Sequence, residues 1–135
     1  MKRWILGPVM VVLIGIGAQA STLAEEKRFV INRINANDFE VIKLRGMGAH
    51  EFWCAAANYI EVRTGQSERT RIYVRTPLGA SVTQSGAKGV VFSTSDAGLP
   101  PESDRLNLTV SEPGVVLKSA LARRYCRDAF TRSTK

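Results

Sequence analysis

One histidine and two cysteines carry most of the reactive side-chain chemistry in this chain of 135 residues. His50 and Cys54 are four positions apart in a helix-like stretch, so their side chains can share a helix face. That is the geometry of a Cys-His nucleophile pair, or of two ligands of a metal ion. The dipole at a helix start would also favour a thiolate at Cys54. Against this, His50-Glu51-x-x-Cys54 holds one histidine where a zinc-protease helix needs two, and no third ligand can be named. The catalytic use would also leave Cys126 as an unexplained thiol.

Other routes to catalysis are weaker still. Glu61, Asp96, Glu102, Asp104 and Asp128 are dispersed in segments where solvated acids are ordinary, and no pair of them stands out for acid-base work. The serines at 81, 85, 93, 95, 103 and 111 lack a nucleophile elbow, and His50 is already the only histidine, so a hydrolytic triad has no support. Gly46-Met47-Gly48 is not a phosphate loop, and no motif for a cofactor or a resident metal occurs. The binding chemistry lies in Arg71-Ile72-Tyr73-Val74-Arg75. Alternation puts Ile72 and Val74 on one face of a strand and Arg71, Tyr73 and Arg75 on the other. Two guanidinium forks beside a tyrosine suit a carboxylate or phosphate partner, although arginine stems covering a ring on a solvated face would give the same pattern.

The compartment decides what the cysteines mean. Met1-Lys2-Arg3 is a cationic start, Trp4 to Gly17 is a largely apolar run, and Ala18-Gln19-Ala20 is the small-x-small pattern of a signal-peptidase site. Residues 1–20 are therefore expected to be a cleaved export signal, with the mature chain beginning at Ser21. The apolar run is shorter than the roughly 20 residues of a spanning helix, so no stable membrane anchor is expected after cleavage. Export places Cys54 and Cys126 in an oxidising compartment, where a disulfide between them is the expected state. Closing a loop across 72 positions stabilises a fold by roughly 4 kcal/mol in the chain-entropy model.

Removing 20 of the 135 residues leaves 115, a usual size for one domain with its own core. Loss of Lys2 and Arg3 takes the formal charge from +7 to +5, still basic. An acidic protein or an anionic envelope polymer is the partner class this charge favours. Nucleic acid is not an expected partner outside the cytoplasm, and no nucleic-acid-binding motif is present.

Residues 21–27 read as a flexible lead-in, 28–130 as one α+β domain and 131–135 as a flexible tail. Within the domain, RFVIN and FEVIKL flank the turn-like Asn35 to Asp38 and predict a hairpin. A helix is expected over 49–64, its Ala55-Ala56-Ala57 permitting close packing and Gly65 ending it. TRIYVRT predicts a strand that Pro77-Leu78-Gly79 turns, followed by a weak strand at ASVTQ and stronger ones at GVVFST and RLNLTVS. A second helix fits residues 115–130, with Val115 and Val116 alternatively belonging to a strand region. The expected fold is a mainly antiparallel sheet with two helices on one face and a disulfide between the helices.

Phe52-Trp53-Cys54 opening an alanine-rich helix, Ile72-Tyr73-Val74 in a strand, and Tyr125-Cys126 further on resemble the pattern of short exported bacterial proteins of unassigned function. The resemblance implies a periplasmic domain and adds no activity. The sequence thus points to a small periplasmic or secreted binding or accessory domain of the cell envelope. The alternative is a small envelope enzyme using Cys54 with His50.

Overall fold

The computed structural model describes residues 29–101 and 108–132. The expected signal over 1–20, the lead-in, and residues 133–135 of the expected tail lie outside the described residues. So do residues 105–107 of the RLNLTVS segment. Strands β1 (Ile31–Arg33) and β2 (Asp38–Ile42) are followed by helix α1 (Ala49–Asn58) and a π-helical continuation (Tyr59–Arg63). Then come β3 (Arg71–Ala80), β4 (Lys88–Ser93), β5 (Val116–Lys118) and helix α2 (Ser119–Arg132). The five strands form one sheet in the order β1-β2-β4-β3-β5, every pairing antiparallel. This is the expected α+β architecture.

Alternation along the strands builds the core. Phe39 and Val41 of β2, Ile72 and Val74 of β3, and Val90 and Phe92 of β4 turn to one face and are buried with Phe52, Trp53, Ala56 and Ile60 of the first helical segment and Ala122 of α2. Trp53 meets Phe92 edge-on at 5.1 Å. Ala55, Ala56 and Ala57 are wholly buried, their small side chains letting the helix approach its neighbours closely. The two helices pack together and are joined by the Cys54–Cys126 disulfide, with Cα atoms 4.8 Å apart. Gly65 follows the first helical segment at φ +66°, a conformation that glycine adopts without a Cβ clash.

Four details differ from expectation. Pro77-Leu78-Gly79 does not turn the chain but lies inside β3, because the β3–β4 register slips twice, between Val74 and Thr76 and between Thr76 and Gly79. Such bulges leave residues out of the ladder, and there a proline without an N–H is tolerated. The turn comes only after Ala80, so ASVTQ forms no strand of its own. The second helix begins at Ser119 rather than 115, since Val116–Lys118 pair with Arg71–Tyr73 as an edge strand, and it runs to Arg132, past the expected start of the tail. Leu108 to Ser111 are not a strand either, although Val110 is buried in the core and its carbonyl accepts from Leu78 N–H at 2.9 Å.

The opposite face of the sheet holds a buried carboxylate. Glu40 is almost wholly buried and accepts hydrogen bonds from Ser81 Oγ, Val82 N, Thr83 N and Thr83 Oγ1, so it pins the β3–β4 loop to the sheet. Burial pushes its pKa up, but these four donors outweigh burial and hold it below the ordinary value.

Candidate functional site

The Arg71, Tyr73, Arg75 trio is not presented as one outward face. Tyr73 is only 8 % exposed, packed in the row that Val116 and Ser93 complete on either side of it. Arg75 is the extra residue of the first bulge, which re-aims its side chain across the sheet. Its Nη1 and Nη2 donate to the carbonyls of Ala97 (3.0 Å) and Ser95 (2.9 Å), and Nε lies 3.3 Å from Asp38 Oδ1. Asp38 is pushed up by burial and pulled down further by hydrogen bonds from Ser93 and Asn35 and by the Arg75 charge, so its carboxyl sits below the usual range. Arg75 thus ties the loop after β4 to the β1–β2 hairpin. Arg71 is exposed, beside Lys118 and Leu121 at the β5 edge, whereas Tyr73 is buried and Arg75 is held against the loop after β4. The outward alternation expected for these residues fails because the far side of β3 is covered, and sequence alternation cannot tell a covered face from a wet one.

Cys54 and Cys126 form the bridge expected of them, and the chain has no free cysteine. His50 stacks on Tyr125, the residue before Cys126, with ring centroids 4.9 Å apart, so it packs across the helix pair beside the bridge. A thiol at Cys54 would first require reduction of the disulfide. No group of three or more His, Cys, Asp or Glu side chains is placed to hold a metal ion among the described residues.

A concavity lies elsewhere, at the end of the sheet where the β1–β2 turn faces the π-helical segment. It has a volume of about 370 Å³ and is lined by Arg33, Asn35, Asn37 and Asp38 on the hairpin side, with Thr94 beside them. Tyr59, Ile60, Arg63, Thr64 and Gln66 line the other wall. The turn is rigid: Asn35 Oδ1 accepts from the N–H groups of Asn37 and Asp38, and Asn35 Nδ2 donates to Asp38 Oδ2. On the facing wall the helix widens. Thr64 N–H reaches back five residues to the Tyr59 carbonyl at 3.0 Å, and Thr64 Oγ1 donates to the Ile60 carbonyl at 2.6 Å. The widened turn brings Tyr59, Ile60, Arg63 and Thr64 to the same cleft, and π-segments are common at functional sites. Tyr59 is seated on Phe39 with ring centroids 4.2 Å apart. Glu61 on the far side of this segment accepts from Ser119 Oγ and Arg123 Nη1, which ties the π-segment to α2.

The cleft is rich in uncommitted donors. Arg63 has no ion-pair partner among the described residues, and Arg33 engages only its Nε, with the Asn35 carbonyl at 3.3 Å. Asp38, the one carboxylate in the lining, is already satisfied by Asn35, Ser93 and Arg75. The net character is cationic, with forked donors suited to an oxyanion. Sequence patterns single out none of Arg33, Tyr59 and Arg63 as site residues. Tyr59 and Arg63 do recur at a spacing of four, but nothing in the chain announces that the hairpin turn comes to face them.

No family model, curated protein or solved structure matches the chain. The functional reading therefore rests on the cleft and on the residues themselves.

Proposed function

We propose that this chain is an exported binding or accessory domain of the cell envelope, periplasmic or secreted, that holds an anionic partner in the cleft between Arg33 and Arg63. The observation that carries it is the Arg63 guanidinium, which has no ion-pair partner among the described residues, at a polar, open cleft in whose described lining the one carboxylate, Asp38, is already satisfied. The basic balance of the chain supports attraction to an acidic protein or an anionic envelope polymer. Export is supported by the terminal pattern of residues 1–20, by the resemblance to short exported bacterial proteins, and by a disulfide of the kind that persists in oxidising compartments. Among the described residues no helix is long and apolar enough to cross a membrane. Binding is favoured over the thiol chemistry of Cys54 with His50 because the Cys54 sulfur is bonded to Cys126.

Two acidic polymers with different backbones, poly-L-glutamate and polygalacturonate, test the reading. The protein should bind at least one of them at low salt and less at moderate salt. Arg33→Ser with Arg63→Ser should weaken binding and flatten its salt dependence without loss of fold. Equal binding by both forms would remove the cleft from the account. For export, the intact mass of the protein from the producing cell should begin at Ser21, and a membrane-held product retaining residues 1–20 would overturn that part.

A further inference from the structure

The cleft offers more than positive charge, and its spare hydrogen-bonding groups are of both kinds. Asn37, in the cleft lining, accepts at Oδ1 from Thr94 Oγ1 at 3.2 Å, which leaves its Nδ2 as a donor. Gln66 Nε2 is engaged by Thr64 Oγ1 at 3.0 Å, which leaves Gln66 Oε1 as an acceptor. A bare carboxylate presents only acceptors to these groups and has nothing to give Gln66 Oε1, while inorganic phosphate keeps an O–H but has no ring of hydroxyls to span both amides. A hydroxyl both donates and accepts, so a ligand bearing hydroxyls beside its carboxylate would satisfy the amide pair as well as the arginines. Tyr59 adds an amphipathic ring, held in place by its packing on Phe39, against which the C–H face of a small saturated ring can lie. The volume, about 370 Å³, is at the small end of ligand pockets and suits one sugar unit and part of the next rather than a folded protein surface.

From these groups we propose that the cleft binds a carboxylate-bearing sugar, a uronate unit of an acidic saccharide, with Arg63 and Arg33 on the carboxylate and Asn37 and Gln66 on ring hydroxyls. This rests on the reading of the cleft as an anion site and narrows its ligand. An acidic peptide would share the arginine contacts, and its backbone N–H and C=O groups could meet the two amides, but it brings no hydroxylated saturated ring to lie against Tyr59.

Amide chemical-shift titrations of the 15N-labelled protein with small probes separate the two levels. Galacturonate should perturb Asn37, Arg63, Thr64 and Gln66. Galactose, which lacks the carboxylate, and inorganic phosphate and N-acetylglutamate, which lack the ring hydroxyls, should each bind at least about ten-fold more weakly. Arg63→Ser should abolish the galacturonate shifts and Arg63→Lys should weaken them, because lysine keeps the charge and loses the fork. Both arginines are exposed, so the unperturbed spectrum of the remaining residues verifies folding. If phosphate or N-acetylglutamate binds the cleft as well as galacturonate does, the sugar assignment is wrong and the anion site stands. If no anion perturbs the cleft, both fall.

Discussion

Gly89 and Glu40 are matched in shape across β2 and β4: a Cβ placed on Gly89 would meet Glu40 Cδ at 2.9 Å and Oε2 at 3.0 Å. The missing side chain is what lets the carboxyl lie over the sheet and reach the loop at Ser81 to Thr83. Because Glu40 is held by four donors, it cannot simply swing away from an added methyl. Gly89→Ala should therefore cost about 1–3 kcal/mol in the otherwise native chain. With Glu40→Ala already present, the same change should cost much less. Denaturant unfolding of the four proteins closes the cycle, and additivity within about 0.5 kcal/mol would show that the two positions are independent.

Acid should loosen the same region. Glu40 and Asp38 have folded-state pKa values below their ordinary ones, so each contributes stability that is complete above the unfolded value, about 4, and is lost as pH falls through the folded value. The melting temperature should be level from pH 7 to about 5 and fall below about 4. Glu40→Gln should start about 1–2 kcal/mol lower, since its amide confronts donors on the loop, and should show a shallower acid limb. Parallel acid limbs for the two proteins would mean that Glu40 takes no part in the transition.

The bridge between α1 and α2 should be structural. Alkylation without reduction should label neither Cys54 nor Cys126. Cys54→Ser with Cys126→Ser should lower stability by roughly 2–4 kcal/mol, or about 10–15 °C in melting temperature for a domain of this size. An unchanged melting curve, or ready labelling of Cys54 in the freshly isolated protein, would reopen the thiol alternative with His50.

Tyr73 and Arg75 should behave as parts of the scaffold. Tyr73→Ser should destabilise by about 3 kcal/mol through loss of a buried ring. Arg75→Ala should cost a smaller amount, about 1–2 kcal/mol, since the side chain is 25 % exposed and solvent discounts its contacts. Its more specific effect should be faster hydrogen exchange at Ala97 and Leu99, in the loop whose carbonyls at Ser95 and Ala97 Arg75 holds. If both variants melt like the native protein, the assignment of these residues to packing is wrong.

The hairpin, the first helix, β4 and the first half of β3 were legible because each is a local pattern: alternation around the Asn35–Asp38 turn, an alanine-rich run closed by Gly65, and β-branched strands. The features that were not legible depend on contacts between segments far apart in the chain. Tyr73 reads as outward because alternation has only two faces to offer, while the sheet buries side chains on both. Pro77 reads as a turn because its tolerance inside β3 depends on bulges set by pairing with β4. Glu40 reads as an ordinary strand acid, and only the fold brings Ser81 to Thr83 over it. The cleft was hidden for the same reason, since its walls come from a turn near Asn37 and a helix end near Arg63 whose meeting no local spacing encodes.

The π-helical turn also says something about how such a site can be gained or lost. It carries one residue more than the α-helical turn it replaces, so the chain accommodates the equivalent of a single-codon insertion without shifting anything upstream of Tyr59. Deleting one residue there would let the segment relax into a regular, narrower helix, with the residues beyond it keeping nearly their former direction. The widening that brings Tyr59, Ile60, Arg63 and Thr64 to one cleft would be lost, while the core-facing alanines stayed where they are. Binding and folding are thus separable by the length of one turn, and that turn is where indels should sort chains that share this scaffold into those with the cleft and those without it.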